Sequence, residues 1–416
     1  MGGDTFITKV DADGELLLYS SYFGAGYAHG IALGPRNDVY VAGMTSSSGF
    51  PTTHGAFDRG FNPPTDGFAA RFEFKPPVCS SAALAESPSS PFATSAFRPH
   101  EVVAADLNSD GNLDIASANQ GSNNVTIFFG DGQGGLSRWG NIAVGHGPVA
   151  IVSADFNLDG KPDLATVSPA TTLRVRILLN QGSGTFAVLP GSPVVGANPW
   201  SIVVSDFNLD GKPDLATSNY STGDVSVLLN DGTGNFSPVA DRPVIGFQSR
   251  SITTGDFNSD GSPDLATAAP NNVKVLLGHG TGAFVITGQS LSAGSTPSSI
   301  VSEDFNGDGD LDLAVADRFS NTVSVLLGNG LGAFASSSAS FSVGTTPEAI
   351  AAADLNHDGN MDLVTSDWFD STFSILLGDG TGGFEVSQIR SGFGPLDMKL
   401  VDLNGDEKID IVGANE

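Results

Sequence analysis

A nine-residue acidic string recurs seven times, short β-branched runs lie between the copies, and no sustained 3.6-residue apolar period appears anywhere in the chain. These observations predict an all-β fold, a β-propeller of four-stranded antiparallel blades. The string reads DLNSDGNLD from Asp106, DFNLDGKPD from Asp155 and again from Asp206, DFNSDGSPD from Asp256, DFNGDGDLD from Asp304, DLNHDGNMD from Asp354 and DLNGDEKID from Asp402. Successive starts fall 48 to 51 residues apart, too regular for chance over three hundred residues.

A second string rides on the first: LLNQGSGTF from Leu178, LLNDGTGNF from Leu228, LLGHGTGAF from Leu276, LLGNGLGAF from Leu326 and LLGDGTGGF from Leu376, with a looser FFGDGQGGL from Phe128. Runs such as SIVVSDF, DLATS and DVSVLLN, four to seven residues long and bounded by Gly, Asn, Asp or Pro, read as strands joined by tight turns. Each fifty-residue unit holds four of them. Strand A is the PxxIxxxD run before the acidic loop, B the DLATxx run after it, C the VSVLL run, and D follows the Gly-rich turn. The acidic loop is then the A–B hairpin.

Composition narrows the function. Eighteen Lys and Arg against 46 Asp and Glu leave a net charge of −28, which repels phosphate backbones and anionic membranes, so nucleic acid is not an expected partner. No run of eighteen apolar residues is present, so no membrane insertion is expected, and MGGDTFITKV is not a signal peptide. The single cysteine, Cys79, excludes an intramolecular disulfide. It lies in PPVCSS, where an inert thiol is the simplest reading.

Three carboxylates within one nine-residue turn repel each other unless a cation sits among them. Calcium takes six to eight oxygens, and a turn with side-chain oxygens at positions 1, 3, 5 and 9 and a carbonyl at 7 supplies most of them. The expected ligands are Asp106, Asn108, Asp110 and Asp114; Asp155, Asn157, Asp159 and Asp163; Asp206, Asn208, Asp210 and Asp214; Asp256, Asn258, Asp260 and Asp264; Asp304, Asn306, Asp308 and Asp312; Asp354, Asn356, Asp358 and Asp362; and Asp402, Asn404, Asp406 and Asp410. Glycine at position 6 permits the positive φ that wraps the chain round the ion. Up to seven Ca²⁺ would bring −28 to −14. The alternative is that Asp and Asn act only as turn formers. The last loop has Glu407 at position 6 and is expected to bind weakest, while the Asp310 side chain at position 7 of the fifth loop is expected to face solvent.

The DxNxDGxxD loop followed by LLGxGxGxF resembles the FG-GAP or VCBS repeat of integrin-α-like propellers, from Asp106 to the end of the sequence. That resemblance implies the same calcium assignment and a place outside the cell, secreted or at the cell surface. Residues 1–74, with DTFITKVDADGELLLYSSYFG, HGIALGPRNDVYVAGMTSSSGFPTT and TDGFAARFEF, resemble the bacterial SBBP-type propeller repeat. The expected division is an SBBP-like segment over 1–97 and FG-GAP/VCBS-like blades over 98–416, in one continuous propeller.

Strand counting sets the closure. IDIVGANE gives the last unit only strands A and B, while DTFITKV and LLLYSSYF at the start occupy C and D positions. HGIALG, DVYVAGM, GFAARFE and a strand near residues 92–97 make one blade, and six complete blades follow. Joining the two ends gives eight blades without an exposed sheet edge; the alternative is a truncated seven-bladed ring.

The B–C and D–A connections, opposite the acidic loops, carry the candidate ligand-binding residues Trp200, Tyr220, Arg250, Asp317, Arg318, Asp367 and Trp368, with Phe247, Gln248, Phe319 and Phe369 beside them. Tyr220, Phe319 and Phe369 are expected to occupy equivalent repeat positions packed between blades. The six histidines, His100 among them, show no ligand spacing and read as scattered surface or turn residues, and the Gly-rich turns lack the lysine and helix of a phosphate loop. Asn124, Asn219 and Asn235 open N-x-S/T triplets.

The expected function is an exported, non-catalytic recognition, adhesion or assembly module with a protein or carbohydrate partner, or self-assembly. The alternatives are a lectin and a polysaccharide lyase.

Overall fold

Strand B of the six repeats whose side chains are described is buried along its whole length, and that explains both its composition and the architecture around it. Asp214–Asn219 (DLATSN), Asp264–Ala269 (DLATAA) and Asp312–Asp317 (DLAVAD) have no exposed residue on either face, as expected of a strand inside one sheet with another sheet stacked on each side. Small Ala and Thr side chains let the sheets approach.

The computed structural model describes the backbone of residues 4–10, 17–33, 38–45, 66–73, 85–86 and 99–415, except 131–135, 170–172, 247, 271, 290, 357, 391–394 and 403–408; side chains are described within 100–388, apart from those turns and residues 102, 136 and 336–339. Every regular element among them is a strand. β1 (Asp4–Val10), β2 (Leu17–Leu33), β3 (Asp38–Thr45), β4 (Asp66–Glu73) and β5 (Ala85–Glu86) form one antiparallel sheet in chain order. Six sheets with a four-strand antiparallel path follow. They are β6 (Pro99–Ala105), β7 (Asp114–Asn119), β8 (Asn124–Gly130) and β9 (Leu136–Ala143); β10 (Ala150–Ala154), β11 (Asp163–Val167), β12 (Val175–Asn180) and β13 (Phe186–Val188); and β14 (Pro199–Ser205), β15 (Asp214–Asn219), β16 (Asp224–Asn230) and β17 (Phe236–Pro238). The next is β18 (Ser251–Gly255), β19 (Asp264–Ala269), β20 (Asn272–Gly278) and β21 (Phe284–Ile286), with β22 (Leu291–Ser292) pairing β20. Then come β23 (Pro297–Glu303), β24 (Asp312–Asp317), β25 (Thr322–Gly328) and β26 (Phe334–Ser342), and β27 (Pro347–Ala353), β28 (Asp362–Asp367), β29 (Thr372–Gly378) and β30 (Phe384–Arg390). β31 (Pro395–Asp402) and β32 (Ile409–Asn415) pair at the end.

This is a β-propeller, with the A–B hairpins where the repeats predict them. First strands adjoin from sheet to sheet: β2 lies beside β6, then β10, β14, β18, β23, β27 and β31 follow in turn, and β31 lies beside β2. β1 lies beside β32. Two N-terminal expectations need amendment. LLLYSSYF and HGIALG are not separate strands: β2 runs through both, its first half pairing β1 and its second half β3 across a bulge between Ala28 and Gly30. The strand paired to β4 is Ala85–Glu86, while the expected strand near 92–97 lies outside the described residues.

Five hydrophobic clusters each join two consecutive sheets. Phe207, Ala216, Val225 and Val227 pack against Ile252, Leu265, Leu276 and Phe284 of the next sheet, and the pattern repeats around the molecule. Position 2 of the acidic loop supplies the latch. Phe156, Phe207, Phe257 and Phe305 are buried edge-on against Phe236, Phe284, Phe334 and Phe384 of the following blade, centroids 5.4, 5.5, 5.5 and 5.9 Å apart. Each buried ring contributes roughly 1.5–3 kcal/mol.

Candidate functional site

Two regions at opposite ends of the first strands concern function: the acidic loops and the axial mouth. A seven-residue strand A separates them by about 20 Å.

In the loops, the first aspartate accepts two successive backbone N–H groups. Asp206 Oδ1 takes Asp210 N at 3.0 Å and Oδ2 takes Gly211 N at 2.8 Å, while Asn208 Oδ1 shares Asp210 N at 3.0 Å. The loops at Asp106, Asp155, Asp256 and Asp354 repeat this. In the fifth loop Asp304 Oδ2 likewise takes Gly309 N at 2.9 Å, while its Oδ1 takes Gly307 N at 2.7 Å. Gly111, Gly160, Gly211, Gly261, Gly309 and Gly359, at position 6, have φ between +81° and +88°. Position 4 is left-handed as well, without glycine, at Ser109, Leu158, Leu209 and Ser259, and this the sequence reading missed. Asn and Asp side chains folded back on the turn offset that cost of roughly 1–2 kcal/mol.

The aspartate at position 9 is the keystone. Asp214 is fully buried; its Oδ2 accepts Phe207 N at 3.1 Å and its Oδ1 accepts Asn230 N at 2.7 Å from the Gly-rich turn. Asp114, Asp163, Asp264, Asp312 and Asp362 make the same two-ended clamp. Burial raises all six carboxyls, Asp114 to about 7 and the others to about 6, against the opposing pull of the backbone N–H donors. Repulsion from nearby loop aspartates raises them further, from positions 1 and 5 in five of the loops and from Asp110 at Asp114.

The Gly-rich turn reaches the preceding blade. Gly234, Gly282, Gly332 and Gly382 donate N–H to the carbonyls of Phe156, Phe207, Phe257 and Phe305 at 2.9 to 3.1 Å. Asn180 and Asn230 extend the join through Nδ2 to Leu107 O and Phe156 O, at 2.7 and 2.8 Å. Each loop is thus tied both within its blade and to the next one.

The donor set consists of oxygens alone, which suits a hard cation. Asn108, Asn258 and Asn356 donate Nδ2 to the position-5 carboxylate, and in two loops a lysine ammonium sits there: Lys161 on Asp159 and Lys212 on Asp210, both at 2.8 Å. These lysines hold Asp159 and Asp210 below the usual carboxylate range. Among the described residues no three acidic, imidazole or thiol groups converge as metal ligands. A cation held at position 5 would have to displace the asparagine amide or the ammonium. Asn404, Asp406, Glu407 and the Asp402 and Asp410 side chains lie outside the described residues. Asp310 is half-buried beside Gly330, rather than facing solvent.

The candidate ligand residues divide. Asp317 and Asp367 are fully buried and clamp the B–C turn: Asp317 Oδ2 accepts Ser324 Oγ at 2.6 Å, and Asp367 accepts Thr365, Thr372 and Ser374 hydroxyls. Asn119 and Asn219 do the same work in their blades, so Asn219 is a buried structural amide, whatever its triplet suggests. Phe319 and Phe369 are not packed between blades; they are 64% and 70% exposed, one position beyond the repeat equivalents of Tyr220, which are Arg318 and Trp368. Phe247 lies outside the described residues.

Trp200 and Arg250 lie at the start of strand A and face an axial cavity of about 420 Å³ lined by His100, Glu101, Val149, Ala150, Trp200, Arg250 and their equivalents from six consecutive blades. The histidine reading therefore changes for His100. It is not a scattered turn residue but lies with its ring edge-on to Trp200, centroids 6.0 Å apart.

The FG-GAP-like repeat family matches the chain at residues 106–166, 155–217, 206–267, 256–315 and 304–365, together more than half of its length. The chain is an FG-GAP repeat protein. Similar solved structures of the FG-GAP protein include BBS1N in complex with ARL6DN (15% identity, 77% of this chain and 93% of that one, TM-score 0.53). Others are an Agrocybe aegerita lectin recognising non-reducing terminal N-acetylglucosamine (16%, 94% and 95%, 0.52) and the Pseudomonas aeruginosa periplasmic gluconolactonase PpgL (16%, 82% and 97%, 0.51). At these identities the likeness is one of fold. No curated protein matched.

Proposed function

We propose that this FG-GAP protein is a calcium-stiffened, non-catalytic recognition module that works outside the cell, secreted or at a cell surface. The supporting observation is the position-9 aspartate. It joins an acidic loop to the Gly-rich turn of its own blade, and that turn is bonded to the loop of the preceding blade, so a cation in one loop stiffens an interblade joint. When bound, calcium supplies charge neutralisation to carboxylates that otherwise repel. Asp at positions 1, 5 and 9 and Asn at 3 would hold it, seven times over. Extracellular calcium is abundant enough to fill such weak oxygen sites.

The ring is one of eight blades, with β31 and β32 contributing two strands and β1 and β2 two more. The succession of adjoining first strands, returning from β31 to β2, supports this count. The partner is a protein or a carbohydrate; the solved relatives named above include a propeller complexed with another protein and a sugar-recognising one. Glycan and protein arrays run beside a lactone-hydrolysis and a polysaccharide-cleavage assay test the reading. Saturable binding without product supports it, and turnover would overturn it in favour of an enzyme.

A further inference from the structure

Strand A begins with a bulge in blade after blade, and the bulged residue is the one that changes. Register skips between Pro99 and Glu101, Pro199 and Ser201, Pro297 and Ser299, and Pro347 and Ala349, so that the Cα pairing passes over His100, Trp200, Ser298 and Glu348. Val149 and Arg250 stand at the equivalent places, their N–H groups on Val167 O and Ala268 O. A bulge re-aims a side chain, and all six of these residues line the same axial cavity. While the acidic loop and the Gly-rich turn keep their pattern, this position reads His, Val, Trp, Arg, Ser and Glu.

We propose that the axial mouth binds a carboxylate-bearing sugar, a hexuronate unit, against Trp200 and Arg250. The Arg250 guanidinium lies 5.6 Å from the Trp200 ring centroid, and Tyr220 tilts against the same indole at 5.8 Å. Among the described residues Arg250 has no carboxylate partner, although the chain carries −28. A planar guanidinium pairs with a carboxylate through two parallel bonds, and an indole covers the apolar face of a pyranose ring. The serines of the lining, Ser201, Ser251 and Ser299, supply hydroxyls. The two glutamates set the ligand's charge. Glu348 is offset by Arg318 at 2.7 Å, whereas Glu101, which accepts the Ile151 N–H at 2.9 Å, places a carboxylate in the lining that repels a second anionic group. One guanidinium, Arg250, in a lining that also holds the Glu101 carboxylate favours a monoanion over a phosphate or sulfate dianion. The volume falls in the ordinary range for small-ligand sites, about 300–1,000 Å³.

This inference rests on the recognition reading and is independent of the calcium loops. Its test is titration of the full chain, in calcium buffer, with D-glucuronate, D-galacturonate, D-glucose and acetate, followed by calorimetry. One uronate binds at least about ten-fold more tightly than glucose or acetate, and Arg250→Gln removes that advantage. Trp200→Ala weakens uronate about ten-fold or more, whereas Trp200→Phe retains most of it. Circular dichroism melts verify that each variant is folded, and Arg250→Lys, which keeps the charge but loses the planar fork, serves if Arg250→Gln does not fold; it weakens uronate and leaves glucose unchanged. Absence of saturable uronate binding to the native chain, or a folded Arg250 variant that binds uronate as the native chain does, would overturn the proposal. Appearance of a cleaved product from a polyuronate would overturn the non-catalytic reading and leave the pocket standing.

Discussion

Asp214 and Asn230 stand sixteen residues apart, yet the buried carboxylate of the first accepts the backbone N–H of the second at 2.7 Å, joining the two turns at one end of a blade. The same carboxylate holds Phe207 N, whose side chain is the interblade latch. Asp214→Ala orphans both buried donors at once and is expected to cost about 2–5 kcal/mol, whereas Asp214→Asn retains one acceptor and costs about 1–3 kcal/mol. Urea denaturation of the two variants measures this; equal and negligible losses would remove the keystone from the account.

Gly332→Ala should be worse than Gly111→Ala. Both glycines have positive φ, but a Cβ on Gly332 meets Leu277 of the preceding blade at 2.8 Å, while one on Gly111 meets nothing within 4 Å. Backbone strain of about 1 kcal/mol is common to both, and overpacking adds about 1–3 kcal/mol at Gly332 alone. A thermal melt in which the two variants coincide would contradict the interblade role of the turn.

The position-9 aspartates set a pH dependence in chelator. Burial raises their folded-state pKa to about 6, and Asp114 to about 7, above the ordinary 3.8, so between these values the folded chain holds more protons than the unfolded one. Stability then falls as pH rises from about 4 to 7. Calcium reverses the sign by favouring the ionised carboxylates. Melts from pH 4 to 7 in chelator and in calcium should therefore slope in opposite directions; parallel slopes would refute the assignment.

Removal of residues 1–16, which carry β1, takes away the neighbour of β32. The melting temperature should drop by more than about 5 °C, and the exposed edge should promote concentration-dependent association. A truncated chain that stays monomeric with an unchanged transition would argue against closure by the two ends.

The repeats made the blades legible because each acidic string begins a hairpin and each strand B is short, small and buried. The acidic loop residues were legible as types at fixed spacing, but their hydrogen bonds were not: nothing in DxNxDGxxD says that the ninth residue grips a turn fourteen to seventeen positions away, a contact that exists only once strands B and C pair. Asp317 and Asp367 looked like binding residues because acids beside aromatics suggest a site. Their burial comes from the neighbouring hydroxyls of strand C, which a linear reading does not bring near. His100 was dismissed for lack of spacing, since the axis gathers residues fifty apart. The one available signal was a residue, after proline in five of six blades, that varied just ahead of a strand and loop whose pattern recurs.

Whether the acidic loops hold calcium is decided most directly by weighing the metal. After dialysis to equilibrium against millimolar calcium, elemental analysis should find several calcium ions per chain in excess of the dialysate, and a strong chelator should remove them while lowering the melting temperature by well over about 5 °C, restored on readdition. A chain holding no calcium beyond the dialysate, or one whose transition ignores the chelator, would contradict the account.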